Sequence, residues 1–348
     1  MKKKLIAMGL AGMMLLGSLA GCGGGGDTPP ADTKTPDAGS SADSNPAADK
    51  GNSGDKLKVA ISMACRDQFL STLETATVEA AKEAGNVDLT TFDANNDISA
   101  QLGHVQTCAA GGYDAVIVNL VNTDSAPEIV DLAGDMKVVF VNRLPSDESV
   151  LKDNVMYCGS RESDAGTMQG EYLAKYFKDQ GKTEANGIMI MGTLGLSHTV
   201  ARTDYAKKAL EDGGIKVNWV FEDTADFDRA KAMDKMTQVL GDANKKFDFI
   251  VCNADDMALG CIEAIKAASG EVTVPIVGID GGATGCKAIQ DGDMAFTVFQ
   301  NPVGQGEGAI TCIEAMCKGE PVDGADGNIL WIPFEPITKD NVSDYYSG

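Results

Sequence analysis

The sequence is poor in positive charge, in histidine and in aromatic rings. Lys and Arg number 29 against 51 Asp and Glu, a net charge of −22 at neutral pH, which makes nucleic acid a poor partner. The two histidines, His104 and His198, have no partner at ligand spacing, and no Cys-x-x-Cys pair occurs. That argues against a metal site, and nothing calls for another cofactor. A Gly-x-Ser-x-Gly turn is also missing, and no nucleophile is paired with a base, so the chain does not read as an enzyme. The adjacent acids Asp255 and Asp256 could be taken for a glycosidase pair. They open a helix, however, where neighbouring side chains point apart and negative charge suits the positive helix end.

Long apolar runs are absent except at the very start. Lys2, Lys3 and Lys4 precede an apolar stretch from Leu5 to Leu16, and Leu19-Ala20-Gly21 leads into Cys22. The stretch is too short for a spanning helix and has the parts of an export signal. It resembles a bacterial lipoprotein signal, which implies cleavage before Cys22 and acyl chains on that cysteine, holding the protein at the outer face of the cell membrane. From Gly23 to Asp55 there is no aromatic or large aliphatic residue; such a stretch cannot offset the entropy of ordering and reads as a tether. Eight further cysteines follow, most within apolar runs such as Phe249-Ile250-Val251-Cys252. There they serve as small hydrophobes and are expected to be buried thiols.

From Leu57 onward short runs rich in Val and Ile alternate with longer segments at helical spacing. The runs are 57–63, 87–92, 115–120, 138–141, 155–158, 188–191, 215–221, 247–252, 276–279 and 295–299; the helices include 69–84, 164–179, 200–211, 228–240 and 257–268. The pattern predicts an α/β fold of parallel sheets with crossover helices. The strands are covered on both faces and too numerous for one comfortable sheet, so two Rossmann-like lobes are expected.

Ligands of open parallel sheets sit beyond the carboxyl ends of the strands. The residues in those places are Asp67 and Phe69, Asn142 and Arg143, His198 and Arg202, Phe227, Asn253 and Asp255, Asp280, and Gln300. Carboxylates, amides, guanidinium groups and rings together suit a polyhydroxylated ring, whose hydroxyls both donate and accept while its C–H faces stack. Singly, each of these residues is more often a turn, a helix cap or a core ring; their joint placement carries the reading. Gly304-x-Gly306-x-Gly308 lacks dinucleotide spacing and is a weak phosphate signal.

Several stretches resemble the type I periplasmic sugar-binding proteins, in particular the galactose/glucose-binding branch and then the ribose-binding one. They include Asn119-Leu120-Val121-Asn122, Val139-Phe140-Val141-Asn142-Arg143-Leu144-Pro145, Met168-Gln169-Gly170, Ala201-Arg202-Thr203, Asp223-Thr224-Ala225, Asp255-Asp256-Met257-Ala258-Leu259-Gly260 and Val277-Gly278-Ile279-Asp280. The resemblance implies two lobes joined by three hinge crossings, one of residues 57–160 with 301–324, the other of 161–300 with 325–348, after a signal (1–21) and tether (22–55). It implies a monomeric receptor that closes on a monosaccharide, most readily a galactose- or glucose-like hexose, and delivers it to an ABC transporter permease. A sugar-sensing role, or a pentose, inositol or nucleoside ligand, is the alternative. In this comparison Asp67, Phe69 and Asn142 serve the first lobe and Arg202, Phe227 and Asp280 the second, with Gln300 near a hinge. The chain departs from the galactose branch at Leu196 and His198, where His and Asp are expected, and at Ala254, where Asn is. The short 181–187 connection lacks that branch's calcium loop.

Overall fold

A computed structural model describes residues 56–347; the segment carrying Cys22 lies outside them. In chain order the first elements are β1 (Leu57–Met63), α1 (Gln68–Ala84), β2 (Val87–Asp93), α2 (Ile98–Ala110), β3 (Ala115–Val118), α3 (Ala126–Ala133), β4 (Lys137–Val141) and β5 (Val155–Gly159). They are followed by α4 (Glu162–Asp179), β6 (Glu184–Met191), α5 (Ser197–Asp212), β7 (Lys216–Thr224), α6 (Arg229–Gly241), β8 (Phe249–Cys252), α7 (Asp255–Ser269), β9 (Ile276–Val277), α8 (Ala283–Asp291) and β10 (Thr297–Gln300). The chain closes with α9 (Pro302–Lys318), β11 (Ile329–Trp331) and β12 (Phe334–Ile337).

Two sheets result. The first has the order β11-β5-β4-β3-β1-β2 and the second β7-β6-β8-β9, with β10 bridging onto β9 and pairing antiparallel with β12. All pairings within the two larger sheets are parallel, so successive strands need helical crossovers. Side chains on a strand alternate between faces, and both faces of each sheet are apolar. Val59, Ile61 and Met63 enter a core with Ile310 and Ile313 of α9, while Ala60 joins Val116, Val118 and Phe140 on the other side. In the second sheet Ile188, Ile190 and Ile250 face α6 and α7, and Met189, Phe249 and Val251 face α4 and α5. The continuous Val and Ile runs are therefore the signature of two-sided burial.

The chain passes between lobes three times, at residues 160–161, at 301 and at 332–333, as the strand memberships before and after each point require. One expected boundary is corrected here. Residues 325–331 do not belong with the second lobe: Ile329, Leu330 and Trp331 pair in parallel with Tyr157, Cys158 and Gly159 of β5. Trp331 packs edge-on against Tyr157, 5.7 Å between ring centroids. A three-residue edge strand ending before Pro333 leaves too little periodicity to read from sequence. β12 also went unanticipated; it carries Pro336, which an edge strand tolerates. All eight cysteines of the described residues are free thiols, six of them buried.

Candidate functional site

The carboxyl ends of both sheets face each other across a cleft. It is lined by Asp67, Phe69, Asn142 and Arg143 from the first lobe, His198, Arg202, Phe227 and Asp280 from the second, and Gln300 at a crossing. Gln68, Leu70, Ala254 and Asp256 complete the wall around ≈ 450 Å³ of atom-free space, counting the part open to solvent.

In the first lobe the positions follow from local capping. Asp67 is the N-cap of α1, one carboxylate oxygen accepting from the Leu70 N–H at 2.7 Å; the cap and site roles coexist because a carboxylate has two oxygens. Asn142 ends β4 in the left-handed region, φ 66°. Its side-chain oxygen accepts from Asn119 and its carbonyl from the Tyr157 hydroxyl, while its amide N–H groups have no partner among the described residues. Arg143 is buried and donates to the Leu120 carbonyl at 2.7 Å.

The second lobe is held by a longer-range network. Arg202 on α5 is 4 % exposed. It donates to Glu162 of α4 at 2.5 Å, to the Asn253 carbonyl at 2.8 Å and to the Gln300 side chain at 3.3 Å. Gln300 in turn donates to the other Glu162 oxygen. Burial works against the Arg202 charge, but the Glu162 carboxylate outweighs it and the guanidinium stays protonated. Sequence reasoning missed Glu162, since nothing local signals a partner forty positions away.

Phe227 sits in the left-handed region, φ 60°, and Asp280 has φ 126°. Such backbone costs of order 1–3 kcal/mol per residue and concentrates at functional sites; with Asn142, three of the seven non-glycine residues of positive φ in the described chain line this one cleft. The Phe227 ring lies directly over Gly192, where an added Cβ would come within 2.0 Å of it, and stacks on His198 at 5.3 Å. His198 is buried with Nδ1 unpartnered. Burial, then Arg143 and Arg202, hold its pKa well below the usual histidine range, so the ring is neutral and can donate or accept. Burial pushes the Asp280 carboxyl well above its usual range; Arg202 opposes this and Asp255, Asp67 and Asp256 add to it. Its side chain has no hydrogen-bond partner within the described residues.

Two expected site residues do not line this cleft. Asn253 points back into the lobe, its side-chain oxygen accepting from the Gly192 N–H and the Thr203 hydroxyl. Asp255 lies beneath the site, accepting from Thr297 at 2.6 Å and from the Gly281 N–H at 2.9 Å; burial raises its pKa to about 7. Both are polar residues at strand ends, but their turns aim them inward. Conversely Gln68 and Asp256, each one residue from a position named from sequence, do reach the cleft. With its nitrogen towards Asp256, the Gln68 amide donates to that carboxylate at 2.7 and 3.3 Å and accepts from Thr284 at 2.9 Å. Ser197 donates to the Leu144 carbonyl at 2.9 Å. These bonds tie one lobe to the other.

A family model described as a periplasmic binding protein domain matches residues 59–321. A Rhizobium meliloti protein named "Putative rhizopine-binding protein" is 35% identical over 291 residues, 80% of this chain and 89% of its own. The D-galactose/methyl-galactoside binding periplasmic protein of Haemophilus influenzae is 28% identical over 294 residues, 80% of this chain and 88% of its own. Among solved structures, an ABC transporter solute binding protein from Bacillus halodurans with bound myo-inositol superposes with a TM-score of 0.76 at 30% identity, covering 85% of this chain and 99% of that one.

Proposed function

Since the chain belongs to the periplasmic binding protein family, we propose that it is the capture component of an ABC importer for a cyclic polyol, held outside the cell membrane by acyl chains on Cys22. A cyclitol such as myo-inositol is the leading ligand and a pyranose hexose the second. The observation that carries this reading is the unpaired polar inventory of the cleft: His198 Nδ1 is buried without a partner, and the Asp280 carboxyl and the Asn142 side-chain N–H groups make no hydrogen bond among the described residues. An unmatched buried polar group costs about 1–3 kcal/mol, and a ring bearing a hydroxyl on every side would satisfy all three at once. Phe69 and Phe227 offer C–H stacking. The similarity to a structure holding myo-inositol favours the cyclitol; the galactoside-binding relative, at lower identity, supports the hexose.

Because contacts come from both lobes, the ligand stabilises the closed arrangement by its differential affinity for it. Gln68 and Ser197 add protein–protein bonds that exist only when the lobes meet. A thermal-shift panel of inositols, hexoses, pentoses and nucleosides tests the reading. At a hundred times its dissociation constant a ligand adds about 2.7 kcal/mol to stability, so a shift with a cyclitol or hexose is expected. A shift confined to nucleosides, or none, would overturn it.

A further inference from the structure

The cleft does not end at Gln68 and Asp256. A second chamber, ≈ 700 Å³ of atom-free space counting its opening to solvent, shares Gln68, Phe69, Asp256, Asp280 and Gln300 with the first and continues past them. Its own walls are Thr72 of α1, Asp255 of α7, Gly282 just before α8, Ala283 and Thr284 of α8, Phe299 of β10 and Pro302 of α9.

The two spaces differ in what their polar atoms are doing. In the main cleft Asp280, His198 and Asn142 present unpartnered groups. In the side chamber the polar side chains other than the shared Asp280 are already engaged: the Thr72 hydroxyl donates to the Gln68 carbonyl at 3.0 Å, the Gln68 amide bonds Thr284 and Asp256, Gln300 bonds Glu162 and Arg202, and both Asp255 oxygens are taken by Thr297 and Gly281. What such a wall offers a ligand is the faces of Phe69 and Phe299, the Pro302 ring and methyl groups. A hydroxyl moved there from water would lose hydrogen bonds without replacement, whereas an alkyl or aryl group would gain buried contact.

We propose that this chamber is a subsite for an apolar substituent on the ring polyol, an O-alkyl or short glycosidic group, so that the receptor accepts substituted rings as well as the parent. This rests on the ring-polyol reading of the main cleft. A ring seated between Asp67, Arg202 and Asp280 would direct such a group past the exposed Gln68 side chain, whose bonds to Asp256 and Thr284 open to let it through.

Titration calorimetry on the protein tests it, with myo-inositol, D-galactose and D-glucose as parents and their mono-O-methyl and O-propyl ethers and methyl, propyl and phenyl glycosides as probes. At least one substituted probe is expected to bind no more than threefold weaker than its parent. Thr72 and Ala283 are exposed, so Ala283→Trp and Thr72→Trp fill the chamber without disturbing a core; each is expected to weaken that probe at least tenfold and its parent less than threefold. If every substituted probe binds tenfold or more below a parent that binds well, or if the tryptophan variants weaken parent and probe alike, the subsite is refuted while the ring-polyol reading stands. If neither parents nor probes bind, the ring-polyol reading itself fails and the subsite with it.

Discussion

The two lobes build their halves of the site by different means. In the first lobe the site side chains are held within one helix or one sheet: Asp67 caps the helix it begins, and Asn142 and Arg143, at the end of β4, bond to Asn119, Leu120 and Tyr157 at the ends of the adjacent strands. In the second lobe the site rests on contacts between distant elements, with Glu162, Arg202 and Gln300 joined across α4, α5 and β10, and on two residues of unfavourable φ. The lesson is where the fold spends stability. The first lobe's half draws on bonds within one sheet; the second lobe's half needs separate helices and a hinge strand to meet.

That difference can be broken most forcefully at Arg202. Arg202→Ala leaves Glu162 buried without its partner, and removing one member of a buried pair costs about 3–5 kcal/mol; urea denaturation should show that loss. Arg143→Ala, in the first lobe, removes a single bond to a carbonyl and is expected to cost only about 1–3 kcal/mol. If the two cost the same, the contrast between lobes is wrong.

Gly192→Ala should come next. The new methyl meets the Phe227 ring at 2.0 Å, so the ring must leave its place over the cleft, at about 1–3 kcal/mol for overpacking. Ligand affinity should fall at least tenfold while the first lobe is untouched, and a crystal structure of the variant should show Phe227 displaced.

Asp255 gives the comparison a pH signature. Its folded pKa, about 7, lies above its ordinary value of 3.8. The folded state therefore holds a proton that the unfolded chain has released. Its contribution is fully present below the ordinary value and is lost as pH rises towards 7. The stability difference between the wild type and Asp255→Asn, followed by denaturant titration, should shrink across that window and then level off. A difference independent of pH would show that the carboxyl titrates normally. The smallest effect is expected at Gln68→Ala, which removes bonds between lobes that are partly exposed: about 0.5–1.5 kcal/mol, or a few-fold in ligand affinity.

The same contrast explains what could be read from sequence. The parallel sheets were legible because Val and Ile runs bounded by helical periods encode two-sided burial; β11 was not, being three residues on an edge. Asp67, Asn142 and Asp280 were legible as polar residues at strand ends, and Arg202 through the resemblance of the Ala201-Arg202-Thr203 stretch. Asn253 and Asp255 meet the same criterion yet face inward, because position in an element does not give direction; that is set by Gly192 and Thr203 for one and by Gly281 and Thr297 for the other. Gln68 and Asp256 were passed over for the reverse reason. Glu162 had no local signal, as its role exists only once α4 and α5 are packed together.

The central claim is that one ring polyol is held from both lobes at once. Titration calorimetry with myo-inositol and D-galactose on the wild type, Asp67→Ala and Asp280→Ala tests it most directly. One-site binding of at least one of them, weakened a hundredfold or more by either substitution, is the expected result. Binding that survives the loss of either carboxylate, or no binding of any ring polyol, would contradict it.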